Sequence, residues 1–203
     1  MKSFTDQIKL LSYGELDYFI VDSNLKVLDC VVENAAILSG SFNPIHYGHR
    51  KLLDYCSKKY DKNKYYEISL LNVDKPEIVS DDLSARLKKF NEDEKIIITK
   101  SSKFVEKATL FPNSYFVIGY DTGLRILDES YLNKGESLDD LFSVIDQKKC
   151  KFIVAGRIDV TGKEFDNLKL ENLSFTHKNL FDLIEEKDFR EDVSSTEKRR
   201  QDN

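Results

Sequence analysis

AAILSGSFNPIHYGH, residues 35–49, runs from an apolar stretch through a loop of small and stiff residues into a segment with two histidines three positions apart. The stretch Ala35 to Gly40 has strand length and no charge, so it reads as a strand buried on both faces. Gly40 ends it, Pro44 stiffens the turn, and Gly48 stands where a helix should begin, near Tyr47 to His49. A strand that turns directly into a helix is the repeating unit of a parallel sheet wrapped by helices.

The same alternation continues outward. The apolar runs YYEISLLNV (65–73), KIIIT (95–99), SYFVIG (114–119) and KFIVAG (151–156) are separated by HRKLLDYCSKKY, SDDLSARLKKFNED, KFVEKATLF and SLDDLFSVIDQ. In these separators Leu, Phe and Val recur at helical spacing, often after Ser or Asp. Crossovers of such length demand parallel neighbours and right-handed connections. The expected fold is α/β, a Rossmann-like doubly wound parallel sheet of about five strands in a single domain. Residues 1–34 read as an N-terminal extension with SFTDQIKLL as a short helix, ahead of a domain over 35–203. Residues 158–192 are polar and less regular, and SSTEKRRQDN at the end reads by itself as a solvated tail.

Composition excludes several classes of function. The 203 residues hold 31 Lys and Arg against 36 Asp and Glu, a formal charge of -5. A general nucleic-acid surface needs a dense basic field, so any phosphate ligand must be held locally. Hydrophobic residues make up 40%, enough for one good core at this length. Cys30, Cys56 and Cys150 lack the spacing of a zinc site and read as reduced thiols. Asp and Glu interrupt the apolar stretches near the N-terminus, which does not read as a secretory signal. No run approaches the ~20 apolar residues of a membrane span. The cytoplasm is the expected compartment, and a homo-oligomer is left open.

In open α/β sheets, ligands sit beyond the carboxyl ends of the strands, and residues 40–49 form such a loop. The free N–H groups and dipole at the start of the next helix favour an anion, so a phosphate is the expected guest. The loop is not a P-loop, because GxxxxGK[ST] is absent. His46 and His49 can donate hydrogen bonds or carry charge near neutral pH, which suits a phosphate whose charge spreads during transfer. Metal ligation lacks an evident third ligand nearby, and two surface histidines on a turn are the structural alternative.

GSFNPIHYGH resembles the HxGH signature of the nucleotidylyltransferase superfamily, in the GSFNPxHxGH form of its adenylyltransferases. YFVIGYDTGLRIL (115–127) is similar to the family's GxD strand end, and VSSTEKRR (193–200) resembles its late ISSTxxR motif. LLNVDKPEI, GYDTGLRIL and KFIVAGR look most like the cytidylyltransferase-like branch related to nicotinamide-nucleotide adenylyltransferases.

The resemblance implies a set of roles. His46 and His49 would stabilise the α-phosphate of ATP while an acceptor phosphate attacks in line and pyrophosphate leaves, with Arg199 as a third catalytic residue. Catalysis of this kind rests on positioning and electrostatics, without a covalent enzyme intermediate. Gly40, Ser41, Phe42 and Gly48 would line the nucleotide, with Asn43 either a polar contact or a cap of the turn. Ser194, Ser195 and Thr196 would open a final helix and, with Arg199, grip the β- and γ-phosphates; read without the family, they are an N-cap. Lys198 departs from the apolar residue usual there. Gly119 and Asp121 would face the nucleotide, Asp121 meeting a ribose hydroxyl or the metal, or else capping its helix. Lys75 and Arg86 are candidates for acceptor or triphosphate contacts, with a solvated helix face as the alternative for Arg86. Mg2+ would come with ATP, held by phosphate oxygens and water, so no protein metal site is expected. Nicotinamide or nicotinate mononucleotide is the first-choice acceptor. The chain has no Trp to stack on a pyridine ring, so Tyr131 or Phe104 would take that part. Another phosphorylated acceptor, CTP as donor, or a nucleotide-binding, ATP-hydrolysing protein are the other readings.

Overall fold

The computed structural model describes residues 2–71, 80–132, 135–158 and 164–189. Its first helix, α1 (Phe4–Tyr13), is bounded by local chemistry: the Ser3 hydroxyl accepts the Asp6 N–H, Asp6 reciprocates to the Ser3 backbone, and Gly14 ends the helix at φ 74°. Two short strands follow, β1 (Tyr18–Val21) and β2 (Val27–Leu28), and then the apolar β3 (Ala35–Ser39). The next elements are α2 (Tyr47–Tyr60), β4 (Asn63–Ser69), α3 (Ser80–Leu87), β5 (Ile96–Thr99), α4 (Phe104–Leu110) and β6 (Tyr115–Gly119). The chain continues through α5 (Tyr120–Leu127), α6 (Leu138–Gln147), β7 (Lys151–Ala155), the strand pair β8 (Arg157–Ile158) and β9 (Phe165–Asp166), α7 (Phe175–Lys178) and β10 (Phe181–Ile184).

Among the described residues eight strands form one sheet in the order β10-β7-β6-β3-β4-β5-β1-β2. The five strands expected from the apolar runs are β3 to β7, and they pair in parallel with one another. Three further strands among the described residues flank these five. β10 extends one side in parallel with β7, while β1 runs antiparallel to β5 and β2 antiparallel to β1. The segment read as a helical extension therefore holds a helix and, in addition, two strands of the sheet.

Each central strand alternates its side chains between two apolar layers, which is why the runs are mostly apolar on both faces. Ala36, Leu38, Ile68, Ile98, Val117 and Ile153 belong to one layer, with Leu52, Leu53 and Cys56 of α2. Ile37, Tyr65, Ile97, Phe116, Ile118 and Val154 belong to the other, with Ala108 of α4 and Phe142 and Ile145 of α6. The chain steps from β3 to β4 to β5 in one direction and then returns to lay β6 on the far side of β3. That reversal opens a crevice between the carboxyl ends of β3 and β6, where doubly wound folds take their ligands. Among the described residues no helix is long and apolar enough to cross a membrane.

Candidate active site

The crevice is lined on its β3 side by residues 40–49. The Gly40 N–H donates to the Glu67 carbonyl at 3.0 Å, so it continues the β3–β4 ladder and does not point at a ligand. The chain then turns sharply at Phe42, which adopts φ 41° although it is not glycine. Its compensation is packing: the buried Phe42 ring meets Tyr66, Phe90 and His49 edge-on, at centroid distances of 5.5, 5.5 and 5.1 Å. A Cβ on Gly40 would lie 3.1 Å from two carbons of that ring, so Gly40 is the residue that leaves room for Phe42. Phe42 therefore supports the loop from beneath, and its main chain alone can line a nucleotide.

His46 is the N-cap of α2 and is buried, while His49 lies one turn into the helix. The His46 N–H donates to His49 Nδ1 at 3.2 Å, and the two rings stack with centroids 3.7 Å apart and planes 29° from parallel. Because Nδ1 accepts, the neutral His49 ring carries its proton on Nε2, which makes that atom a hydrogen-bond donor. Burial pushes the His49 pKa down to about 3, and the neighbouring His46 and Arg50 charges push the same way. His49 thus offers a neutral Nε2–H donor rather than an imidazolium charge. Gly48, buried in the first turn, lets the helix start close against its surroundings.

Further polar side chains lie on α2, α3 and β4, and of these Arg86 bonds the loop backbone. Arg50 grips both Glu94 oxygens at 2.9 and 3.0 Å, and the Tyr66 hydroxyl donates to the same carboxylate at 3.0 Å. This hydrogen bond to Glu94 raises the Arg50 pKa. Arg86 on α3 donates from Nη1 to the Ser41 carbonyl at 2.9 Å and is itself held by Asp82, with Nε to Oδ1 at 3.2 Å. Its guanidinium thus faces the loop backbone and not open solvent, at 13% side-chain exposure. A buried group underlies the ends of β4 and β5: Glu67 accepts the Thr99 hydroxyl and the Lys107 ammonium, each at 2.7 Å.

On the β6 side, Gly119 is the N-cap of α5 and Asp121 lies in its first turn. Asp121 does not cap the helix; both its oxygens accept from Arg157 Nη1, at 2.8 and 3.0 Å. The Arg157 guanidinium also lies over the Tyr120 ring, 5.2 Å from its centroid. Of the aromatic residues proposed for stacking, Phe104 is engaged edge-on with Phe116 and Phe152, with the Lys107 ammonium over its face at 4.9 Å. Tyr131 sits in a short 3-10 turn, Glu129–Tyr131, and is half-buried. Lys75, Ser194, Ser195, Thr196 and Arg199 lie outside the described residues, as does Lys198. Among the described residues no group of three or more His, Cys, Asp or Glu could hold a metal ion.

The fold and its crevice thus bring together His46, His49 and the loop 40–49 on one lip and Gly119 and Asp121 on the other. Sequence reading missed Arg50, the Glu67–Lys107 pair and Arg157. Arg50 follows the histidine motif directly and Arg157 comes just past an apolar strand, whereas Glu67 inside β4 and Lys107 inside α4 gave no signal of their pairing.

A doubly wound sheet with a histidine pair at the first loop of its crevice defines a nucleotide-handling protein of the HxGH type. Comparison with known proteins agrees: the profile described as cytidylyltransferase-like matches residues 37–201, and the chain belongs to that family, within the nucleotidylyltransferase superfamily. The chain is also similar, at 32% identity over 177 residues, to a Fusobacterium nucleatum protein named "Probable nicotinate-nucleotide adenylyltransferase". That match spans 80% of this chain and 83% of the relative. The protein is therefore a nucleotidyltransferase.

Proposed function

We propose that the protein transfers the adenylyl group of MgATP to the phosphate of a pyridine mononucleotide, nicotinate or nicotinamide mononucleotide, and releases pyrophosphate. The stacked His46–His49 pair at the N-terminus of α2 carries the reading. A helix start and a neutral imidazole donor favour phosphate oxygens without adding a full charge to a buried site. The name of the Fusobacterium nucleatum relative supports adenine as the donor base and a pyridine mononucleotide as acceptor.

In this reading His49 Nε2–H and His46 donate to the α-phosphate, strengthening as charge moves onto its oxygens, while the acceptor phosphate attacks opposite the leaving pyrophosphate. Magnesium would come with the triphosphate, held by its oxygens and water, and would neutralise part of its charge. Asp121 faces a ribose hydroxyl once its bond to Arg157 is exchanged or shared, and Ser194, Ser195, Thr196 and Arg199 grip the β- and γ-phosphates. An exposed ion pair is worth only about 0–1 kcal/mol, so such an exchange is cheap. The unpaired thiols Cys30, Cys56 and Cys150 suit a reducing compartment such as the cytoplasm.

The test is a panel of ATP and CTP against nicotinate mononucleotide, nicotinamide mononucleotide and other phosphorylated acceptors, followed by pyrophosphate release. Release that depends on ATP and a pyridine mononucleotide supports the proposal. Release that depends on CTP or a different acceptor replaces the substrate, and acceptor-independent inorganic phosphate replaces transfer by hydrolysis.

A further inference from the structure

Arg86 sits on a different element from the histidines, yet it is tied to the loop that carries them. Its Nη1 donates to the Ser41 carbonyl at 2.9 Å, and Asp82 holds the rest of the guanidinium in place. That carbonyl belongs to the peptide linking Ser41 to Phe42, so the bond fixes the plane from which Phe42 departs at φ 41°. A bulky side chain at such a φ is strained and stays there only if its surroundings hold it. The Phe42 ring in turn stands edge-on to the His49 imidazole, 5.1 Å between centroids at 85°. A continuous line of contacts therefore runs from α3 to the histidine.

We propose that Arg86 is a positioning residue: by holding the Ser41 carbonyl it fixes the backbone at Phe42, and through the Phe42 ring it sets the orientation of His49. The inference rests on the reading of His49 as a hydrogen-bond donor to the α-phosphate. Arg is suited to the task because its planar fork serves Asp82 on one edge and a carbonyl on the other, which an ammonium cannot do in fixed geometry. A sub-ångström drift of an imidazole that stabilises the transferring phosphate reduces turnover while leaving ground-state binding of the triphosphate nearly intact.

The experiment compares Arg86→Met and Arg86→Lys with the parent in two ways: steady-state kinetics with ATP, and the 15N spectrum of the His49 ring in 15N-histidine-labelled protein across about pH 5 to 8. Arg86→Met should lower kcat about 10- to 100-fold and leave KM for ATP within about three-fold. In the same variant the His49 ring should lose its single Nε2–H tautomer and titrate closer to an ordinary histidine. Arg86→Lys should recover part of both. Asp82→Asn, which loosens the guanidinium without removing it, should move both readouts in the same direction by less, and it serves if Arg86→Met fails to fold. An unchanged His49 spectrum in these variants overturns the proposal. An unchanged spectrum with a ten-fold or larger rise in KM for ATP would show instead that Arg86 binds phosphate directly. The ring spectrum needs no turnover, so the Arg86 role is decided even if no acceptor is adenylylated and the proposed function falls.

Discussion

His46 and His49 stack ring on ring, 3.7 Å between centroids, while the backbone N–H of the first donates to the ring nitrogen of the second. Two imidazolium ions cannot share that geometry without strong repulsion, and His49 is held neutral by burial first and by its neighbours second. In the proposed function a phosphate would meet oriented donors here. A donor that needs no protonation works at any pH where the fold persists.

The depressed His49 pKa has a stability consequence. An unfolded chain binds a proton on this ring near pH 6.5, whereas the native ring binds one only near pH 3. Between those values the unfolded state holds more protons, so stability falls as pH drops, by up to about 1.4 kcal/mol per pH unit from this group. Urea unfolding of the parent and of His49→Asn at steps from about pH 7 to 4 should show a shallower acid loss in the variant. Parallel curves would mean that His49 titrates normally in the fold.

His49→Ala should lower turnover by about two orders of magnitude or more, with ATP binding kept within a few-fold, as expected for an interaction that strengthens in the transition state. Calorimetric titration with MgATP alongside steady-state rates separates the two quantities. A matched loss of binding and rate would make His49 an ordinary binding contact.

The Glu67–Lys107 pair lies between apolar layers, at 1% and 7% side-chain exposure. Removing one partner strands a buried charge, so Lys107→Met alone should cost about 3–5 kcal/mol. Lys107→Met combined with Glu67→Gln should cost clearly less, because Gln still accepts from Thr99 and neither charge remains. Denaturant midpoints for the two single variants and the double variant give the coupling, and simple additivity would contradict a buried ion pair.

Gly156 separates β7 from Arg157, and a Cβ there would meet the Asp166 carbonyl oxygen at 2.5 Å and the Phe165 ring at 2.4 Å. Backbone cannot yield as a flexible side chain does, so Gly156→Ala should destabilise by about 1–3 kcal/mol. Gly119, with nothing within 4 Å of such a Cβ, is the control, and Gly119→Ala should be nearly neutral. Thermal midpoints of the two variants decide the point: equal shifts would refute the packing of β8–β9 against the end of β7.

The parallel middle of the sheet was legible because Ile37, Ile97 and Phe116 stand in runs buried on both faces, and such runs are dominated by apolar residues. The outer strands were not. β10 reads FDLI, with Asp182 bonded to Tyr60, and β1 is a four-residue run amid polar sequence, so neither shows an uninterrupted apolar stretch long enough to declare itself. His46 and His49 were visible as a motif, whereas their brace was not. Arg86 was visible as a candidate phosphate contact, but its bond to the Ser41 carbonyl, 45 positions away in the chain, was not. Glu67 was hidden by the strand around it, and only Lys107 on another element explains its burial.

In the proposed function loop 40–49 directs transfer of the nucleotidyl group of ATP at its α-phosphorus. The most direct measurement uses ATP labelled at the α-phosphorus, incubated with the protein, Mg2+ and nicotinate or nicotinamide mononucleotide, with products separated by chromatography. Transfer as proposed moves the label into a pyridine dinucleotide, in step with unlabelled pyrophosphate, and His49→Ala slows both by about 100-fold or more. Label recovered only in ADP or AMP, whatever phosphorylated acceptor is supplied, would contradict it.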